Sequence, residues 1–491
     1  MKIIKLFFLI TLFLSDAFLF AQGKAIRKEF VGKVVADNKG MEGVAVSDGL
    51  QVTFTKKDGS YRLWNNDAPQ YIFISLPSGY QPLVVNGIPS FYRLTNPGLL
   101  KREVLNFELE KSVKDDHKHT LIVCADAQVG YTAEIPQLDV ILDDMKSHVA
   151  AQFADQSVYG IHCGDLLIDI KQKELNFKDL RQRFESTGIP FFYLAGNHDL
   201  DLDMRSNKNS KKTYQEYFGP TYYSFNRGKV HYVVLDDVFS IGKGYGYIGY
   251  LEEQQLQWLV QDLAQVSKGT TVIISMHIPT YSVGARKQDY GSEEINKVLQ
   301  NRQALYKILA PYNAHILSGH EHYHENYPIG DRLFEHVQSA LSGIFWQAPY
   351  NSDGTPVGYT VFQIDGDDVS WYFKGAGLDK QIQFSAYLPG EDKKNPDAII
   401  ANVWNYDSSW KVCWYENEKL MGEMKQSKGW DPDLLQYVAK NQVNFRYKYI
   451  GAGPTEHLFY AVPKDPSAKF RIEVTDRFGN LYSSEPRKVL Y

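Results

Sequence analysis

Hydrophobic and polar positions alternate with a two-residue period near the N-terminus, which is typical of strands with one buried face. In the segment GVAVSDGLQVTFTKKDGSYRL (43–63), the apolar positions include Val44, Val46, Val52 and Phe54. Asp-Gly pairs at 48–49 and 58–59 interrupt the alternation and are hairpin signals. The pattern predicts an all-β domain over residues 27–110.

The pattern changes from about Thr120 onwards, where apolar runs alternate with segments of helical periodicity. The segment PQLDVILDDMKSHVAAQ (136–152) repeats apolar residues at helical spacing from Leu138 to Val149. QLQWLVQDL (255–263) places Leu256, Leu259, Val260 and Leu263 in the same way. Strands alternating with helices predict an α/β domain over residues 117–375, preceded by a charged linker at 110–120.

Beyond residue 378 the two-residue alternation returns. In AKFRIEVTDRFGNLYSS (468–484), Phe470, Ile472 and Val474 alternate with polar residues before a turn at Phe478-Gly479-Asn480. We therefore expect a C-terminal β-rich domain over residues 378–491. A chain of 491 residues is long enough for two or three domains.

The first 22 residues have the features of a secretory signal peptide. Lys2 and Lys5 precede an apolar run from Leu6 to Leu14, and Ala21 suits a cleavage site. The alternative is a membrane anchor, for which this run is short and is interrupted at residues 15–16. We expect signal cleavage to leave no stable membrane span, and a mature protein that is secreted or periplasmic.

Charge and cysteine content narrow the class of protein. A net charge of −5 is small for this length and argues against binding of nucleic-acid polymers. Three cysteines are too few for a disulfide framework, although a bridge between Cys124 and Cys163 stays open.

Polar side chains follow the apolar runs of the α/β domain, at the point where each predicted strand ends. They are Asp126 with Gln128, Asp165, Asn197 with His198, His277, and His320 with His322. A single histidine or aspartate at a strand end is more often structural. Five such strand ends in succession favour a shared site, because the carboxyl ends of strands form the ligand crevice of α/β sheets.

The residue types at these strand ends favour particular metals. Carboxylate, imidazole and amide oxygen together favour Mn²⁺, Fe²⁺ or Zn²⁺, and the absence of cysteine at the loop positions argues against a structural zinc. Seven candidate ligands exceed one tetrahedral shell. They predict two divalent ions about 3.5–4 Å apart that share one carboxylate.

The order of these motifs resembles that of the calcineurin-like metallophosphoesterases. The motifs stand here as ADAQ (125–128), GDLLID (164–169), GNHD (196–199), SMHIP (275–279) and SGHEH (318–322). The resemblance implies a central β-sandwich flanked by helices. Residues 27–110 resemble a carboxypeptidase-regulatory-like β-sandwich, and both flanking regions resemble modules of a secreted bacterial subfamily of these enzymes.

The resemblance also implies roles for individual residues. One metal would take Asp126, Gln128, Asp165 and His322, and the other would take Asp165, Asn197, His277 and His320. A hydroxide bridging the two metals would attack phosphorus. His198 would stabilise the transferring phosphoryl group or protonate the leaving oxygen. Either Asp169 or Asp199 would orient the ring of His198, and the sequence leaves this choice open.

Gln128 departs from the common family pattern, which has histidine at this place. An amide oxygen is a harder and weaker donor than imidazole, so we expect easier loss of that metal. The expected preference shifts from zinc towards Mn²⁺ or Mg²⁺, with Mn²⁺ favoured. A subset of the family carries the same Asp-x-Gln pair, which favours a variant site over an inactive one.

These features predict a secreted hydrolase of small-molecule, lipid or envelope phosphate esters, with phosphodiesters slightly favoured. The alternative is a catalytically impaired envelope or ligand-binding protein on the same scaffold. Few features of the sequence indicate which substrate is selected. In the segment 345–359, Trp346, Tyr350 and Asp353 are candidates for a wall of the site, and a simple hairpin at Asp353-Gly354 fits equally well.

Overall fold

Strands dominate both ends of the chain, and helices are interleaved with strands in the middle. The computed structural model describes residues 28–491 except 66–68, 83, 86–87, 97, 99–100, 173, 243–245 and 283–294. The predicted signal peptide, residues 1–22, lies outside the described residues. No helix in the described part of the chain is both long and apolar enough to cross a membrane.

The N-terminal region is built from strands that form two principal sheets and a short hairpin. One sheet has the order β11-β1-β12-β7, with β2 and β5 also paired to β1, and the other has the order β10-β6-β3-β4. The strands are β1 (Lys28–Ala36), β2 (Lys39–Gly40), β3 (Ala45–Ser47), β4 (Val52–Phe54), β5 (Ser60–Asn65), β6 (Tyr71–Ile74), β7 (Tyr80–Gln81), β8 (Val84–Val85), β9 (Ile88–Pro89), β10 (Tyr92–Leu94), β11 (Arg102–Val104) and β12 (Phe107–Lys111).

Two larger sheets form the central region, with the orders β15-β14-β13-β24-β25 and β16-β17-β20-β21-β23-β22. The strands are β13 (Lys118–Cys124), β14 (Ser157–His162), β15 (Phe191–Tyr193), β16 (Tyr223–Arg227), β17 (Val230–Val234), β18 (Val238–Ser240), β19 (Tyr247–Gly249), β20 (Thr271–Ser275), β21 (Asn313–Ser318), β22 (Glu325–Pro328), β23 (Leu333–Val337), β24 (Gly358–Asp365) and β25 (Asp368–Gly375). The helices are α1 (Ile135–Gln152), α2 (Phe177–Glu185), α3 (Asn207–Ser210), α4 (Lys212–Phe218), α5 (Glu253–Asp262) and α6 (Arg302–Leu309).

The C-terminal region pairs two four-stranded sheets, with the orders β26-β27-β31-β30 and β29-β28-β32-β33. Its elements are β26 (Phe384–Tyr387), β27 (Ile399–Val403), β28 (Lys411–Glu416), β29 (Lys419–Glu423), β30 (Lys425–Gly429), α7 (Pro432–Asn441), β31 (Thr455–Ala461), β32 (Phe470–Thr475) and β33 (Leu481–Ser484). Short 3₁₀ helices occur at Thr132–Glu134, Asn197–Asp199, Leu263–Gln265 and Gln442–Asn444.

Strand β13 shows how the central sandwich is layered. Leu121 and Val123 pack between the two sheets, in one cluster with residues of β17 and β20. Ile122 and Cys124 point to the opposite face and pack against helix α1. Successive side chains of a strand face opposite sides, so a strand buried on both faces reads as a continuous apolar run. The predicted fold class, a β-sandwich flanked by helices with β-rich regions at both ends, is confirmed.

The two helical predictions had different outcomes. Helix α1 buries Leu138, Ile141, Leu142 and Met145, as its periodicity indicates. In helix α5, however, Val260 is 53% exposed, and Trp258 is fully buried instead. The assignment of Val260 to the buried face was therefore wrong.

Trp258 is buried because α5 packs against the N-terminal region. The ring of Trp258 lies 6.1 Å from that of Phe73 on β6 and 5.1 Å from that of Tyr222. The Asn226 N–H donates to the Leu76 carbonyl at 2.7 Å across the same boundary. The N-terminal region and the central sandwich thus share one apolar core.

The cysteines are free thiols. Cys124 and Cys163 are both buried, and burial raises their pKa values well above the ordinary range. The bridge that the sequence left open is not formed in the structure, and these residues act as small apolar core side chains.

Trp258→Ala tests the register of α5. Loss of a fully buried tryptophan should destabilise the protein by about 3–5 kcal/mol, which corresponds to a fall of roughly 10 °C in the thermal unfolding midpoint. Val260→Ala on the same helix is the control and should change the midpoint by about 1 °C or less. Equal effects of the two substitutions in differential scanning fluorimetry would contradict this packing.

Candidate metal centre

The polar residues predicted from the strand ends come together at one edge of the central sandwich. Strands β13, β14 and β15 are parallel neighbours in one sheet, and β20 and β21 are parallel neighbours in the other. Their carboxyl ends therefore lie on the same edge of each sheet. The loops that leave these ends carry all seven candidate ligands.

Asp165, His277 and His320 form the tightest group. One potential ligand atom from each residue lies within 4.8 Å of the other two. His277 Nε2 is 3.4 Å from Asp165 Oδ2, 3.0 Å from Asn197 Oδ1 and 3.2 Å from His320 Nδ1. The four side chains offer the set that the resemblance assigned to one metal.

The other predicted ligands adjoin this group, and Gln128 contacts the same oxygen of Asp165 as His277 does. Asp126 Oδ1 is 3.6 Å from His322 Nε2, and Gln128 Nε2 donates to Asp165 Oδ2 at 2.9 Å. Asp126 Oδ1 and Gln128 Oε1 are buried and have no hydrogen-bond partner among the residues that the structure describes. Buried acceptors without donors are costly. The donor set and these two oxygens fit a pair of cations, with Asp165 between them.

The backbone at these positions is strained. Asp126, Gln128, Asp165, His320 and His322 have φ angles of +53°, +41°, +59°, +74° and +55°. Residues other than glycine adopt this left-handed region rarely, and strained residues persist where the surrounding structure determines them. The strain is concentrated at the predicted ligands, which supports a functional arrangement.

Two buried carboxylates fix the ligand loops through backbone N–H groups. Asp199 accepts from Asp165 at 2.7 Å, from Leu166 at 2.9 Å, from Leu167 at 3.3 Å and from Gly196 at 3.0 Å. This carboxylate therefore holds the GDLLID and GNHD loops together. Burial, followed by the nearby charge of Asp165, raises the pKa of Asp199 to about 7.

The second of these carboxylates, Asp237, was missed in the sequence. It accepts from the backbone N–H groups of His277 at 3.0 Å and Ile278 at 2.9 Å. Asp237 follows the apolar run VHYVVL of strand β17. The rule that selected the other strand ends would therefore have found it.

The ring of His198 is held by a backbone carbonyl. His198 Nδ1 donates to the Ile168 carbonyl at 2.6 Å, and this leaves Nε2 4.0 Å from Asp165 Oδ2. Asp199 is occupied by the backbone groups described above. Asp169 is exposed, and its carboxylate accepts from the Lys171 N–H at 2.8 Å. The structure thus places neither carboxylate on the His198 ring.

Burial and neighbouring charges shift the pKa values of the buried residues in the centre. Burial disfavours the imidazolium of His277, but the Asp165 carboxylate outweighs burial and raises the His277 pKa to about 10. Burial likewise opposes ionisation of Asp165, but His277 and His198 hold its pKa below the usual value. Burial raises the pKa of Asp126 well above its usual value. Metal ligands must be deprotonated, so a bound cation would displace the proton on His277.

A cavity of about 300 Å³ opens above these residues. Its lining combines polar candidate ligands with apolar and aromatic side chains, and two lining residues come from the C-terminal region. The lining residues are Gln128, Asp165, Asn197, His198, Tyr247, His320, Glu321, His322, Ile344, Phe345, Ser352, Ile450 and Gly451.

The segment 345–359 forms a turn and also reaches the cavity. It does so through Phe345 and Ser352, and not through the three residues that the sequence suggested. Trp346 Nε1 donates to the Ala127 carbonyl at 2.9 Å beneath the ligand loop. Asp353 accepts from the His324 N–H at 2.8 Å, and Gly354 closes the turn at Asn351. Trp346, Tyr350 and Asp353 are not among the cavity-lining residues.

Comparison with known proteins identifies the family. Residues 119–324 match Calcineurin-like phosphoesterase, residues 28–112 match N terminal of Calcineurin-like phosphoesterase, and residues 335–482 match C terminal of Calcineurin-like phosphoesterase. The chain therefore belongs to the calcineurin-like phosphoesterases, with N-terminal and C-terminal companion domains.

Individual relatives are distant. Purple acid phosphatase 15 of Arabidopsis thaliana is 27% identical over 46% of this chain and 38% of its own length. Purple acid phosphatase 13 of the same plant is 21% identical over 46% of each chain. The chain thus spans less than half the length of these curated relatives.

Solved structures that resemble the protein are also distant. A dimetal phosphatase from Danio rerio has a TM-score of 0.38 and 14% identity, over 52% of this chain and 96% of that one. A purple acid phosphatase from yellow lupin (Lupinus luteus) seeds has a TM-score of 0.37 and 12% identity, over 69% of this chain and 68% of that one.

Asp199→Ala tests the carboxylate that joins the ligand loops. The change removes the acceptor of four backbone N–H groups, and supporting residues of this kind contribute about 10–100-fold to metal affinity. We expect a loss of that size in chelator competition with Mn²⁺. Asp169→Ala is the control and should leave metal affinity unchanged. A larger loss of Mn²⁺ affinity in Asp169→Ala than in Asp199→Ala would show that Asp169, and not Asp199, supports the ligand loops.

Proposed function

We propose that the protein is a metal-dependent hydrolase of phosphate esters that uses two divalent cations. One cation is held by Asp126, Gln128, Asp165 and His322. The other is held by Asp165, Asn197, His277 and His320. Such a pair supplies a nucleophile at neutral pH and neutralises the phosphoryl oxygens.

The observation that carries this proposal is the pairing of donors around Asp165. His277 Nε2 and Gln128 Nε2 both lie close to Asp165 Oδ2, at 3.4 Å and 2.9 Å. Asp126 Oδ1 and Gln128 Oε1 are buried nearby and accept no hydrogen bond from the residues that the structure describes. A single structural ion would not need this many ligands. The family membership of residues 119–324 agrees with this proposal.

His198 is the candidate general acid. Its Nδ1–H is committed to the Ile168 carbonyl, so Nε2 is the ring atom that faces the cavity. The side chain is 33% exposed and can therefore reach a substrate. From Nε2 it would stabilise the phosphoryl oxygens or donate a proton to the leaving oxygen.

The substrate and location are proposed more broadly. The substrate class is a small-molecule, lipid or envelope phosphate ester, with phosphodiesters slightly favoured over monoesters. Secretion or a periplasmic location is supported by the signal-like pattern of residues 1–22. The second candidate is a catalytically impaired binding protein, and it is motivated by Gln128 at a position where the family usually has histidine.

Asp165→Asn tests the two-metal proposal. The substitution keeps the size of the side chain but removes the shared negative charge. We expect the metal-loaded protein to hydrolyse bis-p-nitrophenyl phosphate and p-nitrophenyl phosphate with Mn²⁺, and the variant to lose about 10²–10³-fold or more in kcat. Asp169→Asn serves as the exposed control. Unchanged turnover by Asp165→Asn would refute the mechanism, and no turnover by the wild-type protein would favour the binding protein.

Gln128→His tests the proposed metal preference. Imidazole is a stronger donor for zinc than an amide oxygen. After loading in an equimolar Mn²⁺ and Zn²⁺ mixture, the variant should retain more zinc than the wild type, as measured by inductively coupled plasma mass spectrometry. Gln137→His, at an exposed position of α1, controls for an added histidine. Two tightly held zinc ions in the wild type would contradict the preference.

A further inference from the structure

The cavity above the metal ligands has aromatic rings beside two of its histidines. The ring of Tyr247 lies 6.1 Å from that of His320, edge to face. The ring of Phe345 lies 4.8 Å from that of His322, tilted by 30°. Aromatic rings therefore form part of the cavity surface, beside the candidate ligands and the polar residues Glu321 and Ser352. Further apolar lining comes from Ile344 and Ile450.

Phe345 holds its position at the cost of backbone strain. Its φ angle is +54°, and that of the following Trp346 is +61°. A bulky side chain in this region is an outlier that points to function when the surroundings enforce it. Here Trp346 anchors the loop by donating to the carbonyls of Ser342 and Ala127, at 2.7 Å and 2.9 Å. Phe345 is half-buried: it packs against a buried apolar cluster that includes Ile344 and Leu434, and it also lines the cavity.

The C-terminal region supplies the facing wall through Ile450 and Gly451. Arg446 fixes one end of this wall, because its Nη1 donates to Glu134 Oε1 at 2.7 Å and its guanidinium stacks 3.7 Å from the centre of the Tyr131 ring. Glu134 ends the short 3₁₀ helix Thr132–Glu134, which follows the candidate ligands Asp126 and Gln128. The wall is thus tied directly to the metal-binding side of the cavity.

A second connection fixes the other end of the wall. Gly453 N–H donates to the Ser352 carbonyl at 2.7 Å, and Ser352 Oγ in turn donates to the carbonyl of His322 at 3.0 Å. Behind Phe345, the ring of Tyr447 lies at 5.8 Å. The segment 446–453 is held at both ends, so it forms a fixed boundary of the cavity.

We propose that this cavity is the subsite for the organic group of the substrate, and that it selects a flat aromatic ring. The inference rests on the proposed phosphoesterase function and specifies its substrate class. Aromatic side chains favour offset or edge-to-face packing with another ring. The cavity of about 300 Å³ is at the small end of ligand sites and includes the space beside the candidate metal ligands, so the organic group it can hold is of one-ring size at most.

Calorimetric titration of the Mn²⁺-loaded protein with three phosphonates tests the subsite. Phenylphosphonate, cyclohexylphosphonate and ethylphosphonate carry the same anionic group but differ in the attached group. We expect phenylphosphonate to bind about tenfold more tightly than ethylphosphonate and several-fold more tightly than cyclohexylphosphonate. Equal affinity for the phenyl and cyclohexyl compounds would overturn selection for a flat ring. Equal affinity for all three, or binding of none, would overturn the subsite.

Variants of Phe345 test whether this residue causes the preference for phenylphosphonate. Phe345→Leu keeps an apolar side chain but removes the ring, so the advantage of phenyl over cyclohexyl should disappear. Phe345→Ala should also reduce the advantage of phenyl over ethyl to about twofold or less. Each preference is taken as a ratio of affinities within one variant, so that effects on folding or metal loading cancel. Trp430→Ala removes an exposed aromatic residue that does not line the cavity and should change none of the affinities. Full phenyl preference in Phe345→Ala would overturn the assignment.

Binding and turnover separate the two proposals. If neither p-nitrophenyl ester is hydrolysed but the phenyl preference and its dependence on Phe345 persist, the hydrolase proposal fails and the subsite stands. If the esters are hydrolysed and the three phosphonates bind equally, the subsite fails and the hydrolase proposal stands.

Discussion

Four carboxylates buried at one edge of the central sandwich set the main physical constraint on this protein. Asp126, Asp165, Asp199 and Asp237 are at most 1% exposed, and a buried charge is expensive unless it is paired. Asp199 and Asp237 are compensated by backbone N–H groups of the ligand loops. Asp126 and Asp165 each accept one backbone N–H, from His320 and His198, and also face imidazoles and an amide. Asp126 Oδ1 accepts no hydrogen bond in the described part of the chain. Asp199 and Asp237 therefore hold the ligand loops in place, and Asp126 and Asp165 are the carboxylates that remain as candidate cation ligands.

The same constraint explains the distribution of strain. Loops that must present carboxylates and imidazoles to one point cannot all keep extended backbone, so five of the ligands adopt positive φ angles. The sheets can tolerate this backbone strain because their strands are buried on both faces, by the sandwich core and by the helices. Stable packing of this kind, extended by the shared core with the N-terminal region, allows a strained edge to persist.

Much of the architecture, and the convergence of the seven candidate ligands, could be predicted from the sequence, because both depend on local patterns. The apolar run ending at Cys124 and the polar residues after it indicate a strand end that faces a site. The predictions failed where tertiary contacts decide. Trp258 is buried because β6 lies beside it, which no helical periodicity records. The acceptor of His198 is a carbonyl, which has no sequence signature. Ile450 and Gly451 lie more than 120 residues beyond the last ligand and show no motif.

The cavity wall formed by residues 446–453 lies far along the chain from the candidate ligands, and this separation affects the order in which the site is assembled. Chains emerge from the ribosome N-terminus first, so the ligand loops from Asp126 to His322 exist as polypeptide well before residues 446–453. The Arg446–Glu134 pair joins positions 312 residues apart, and contacts of such long range form late. One wall of the cavity therefore depends on residues that are synthesised after all seven candidate ligands.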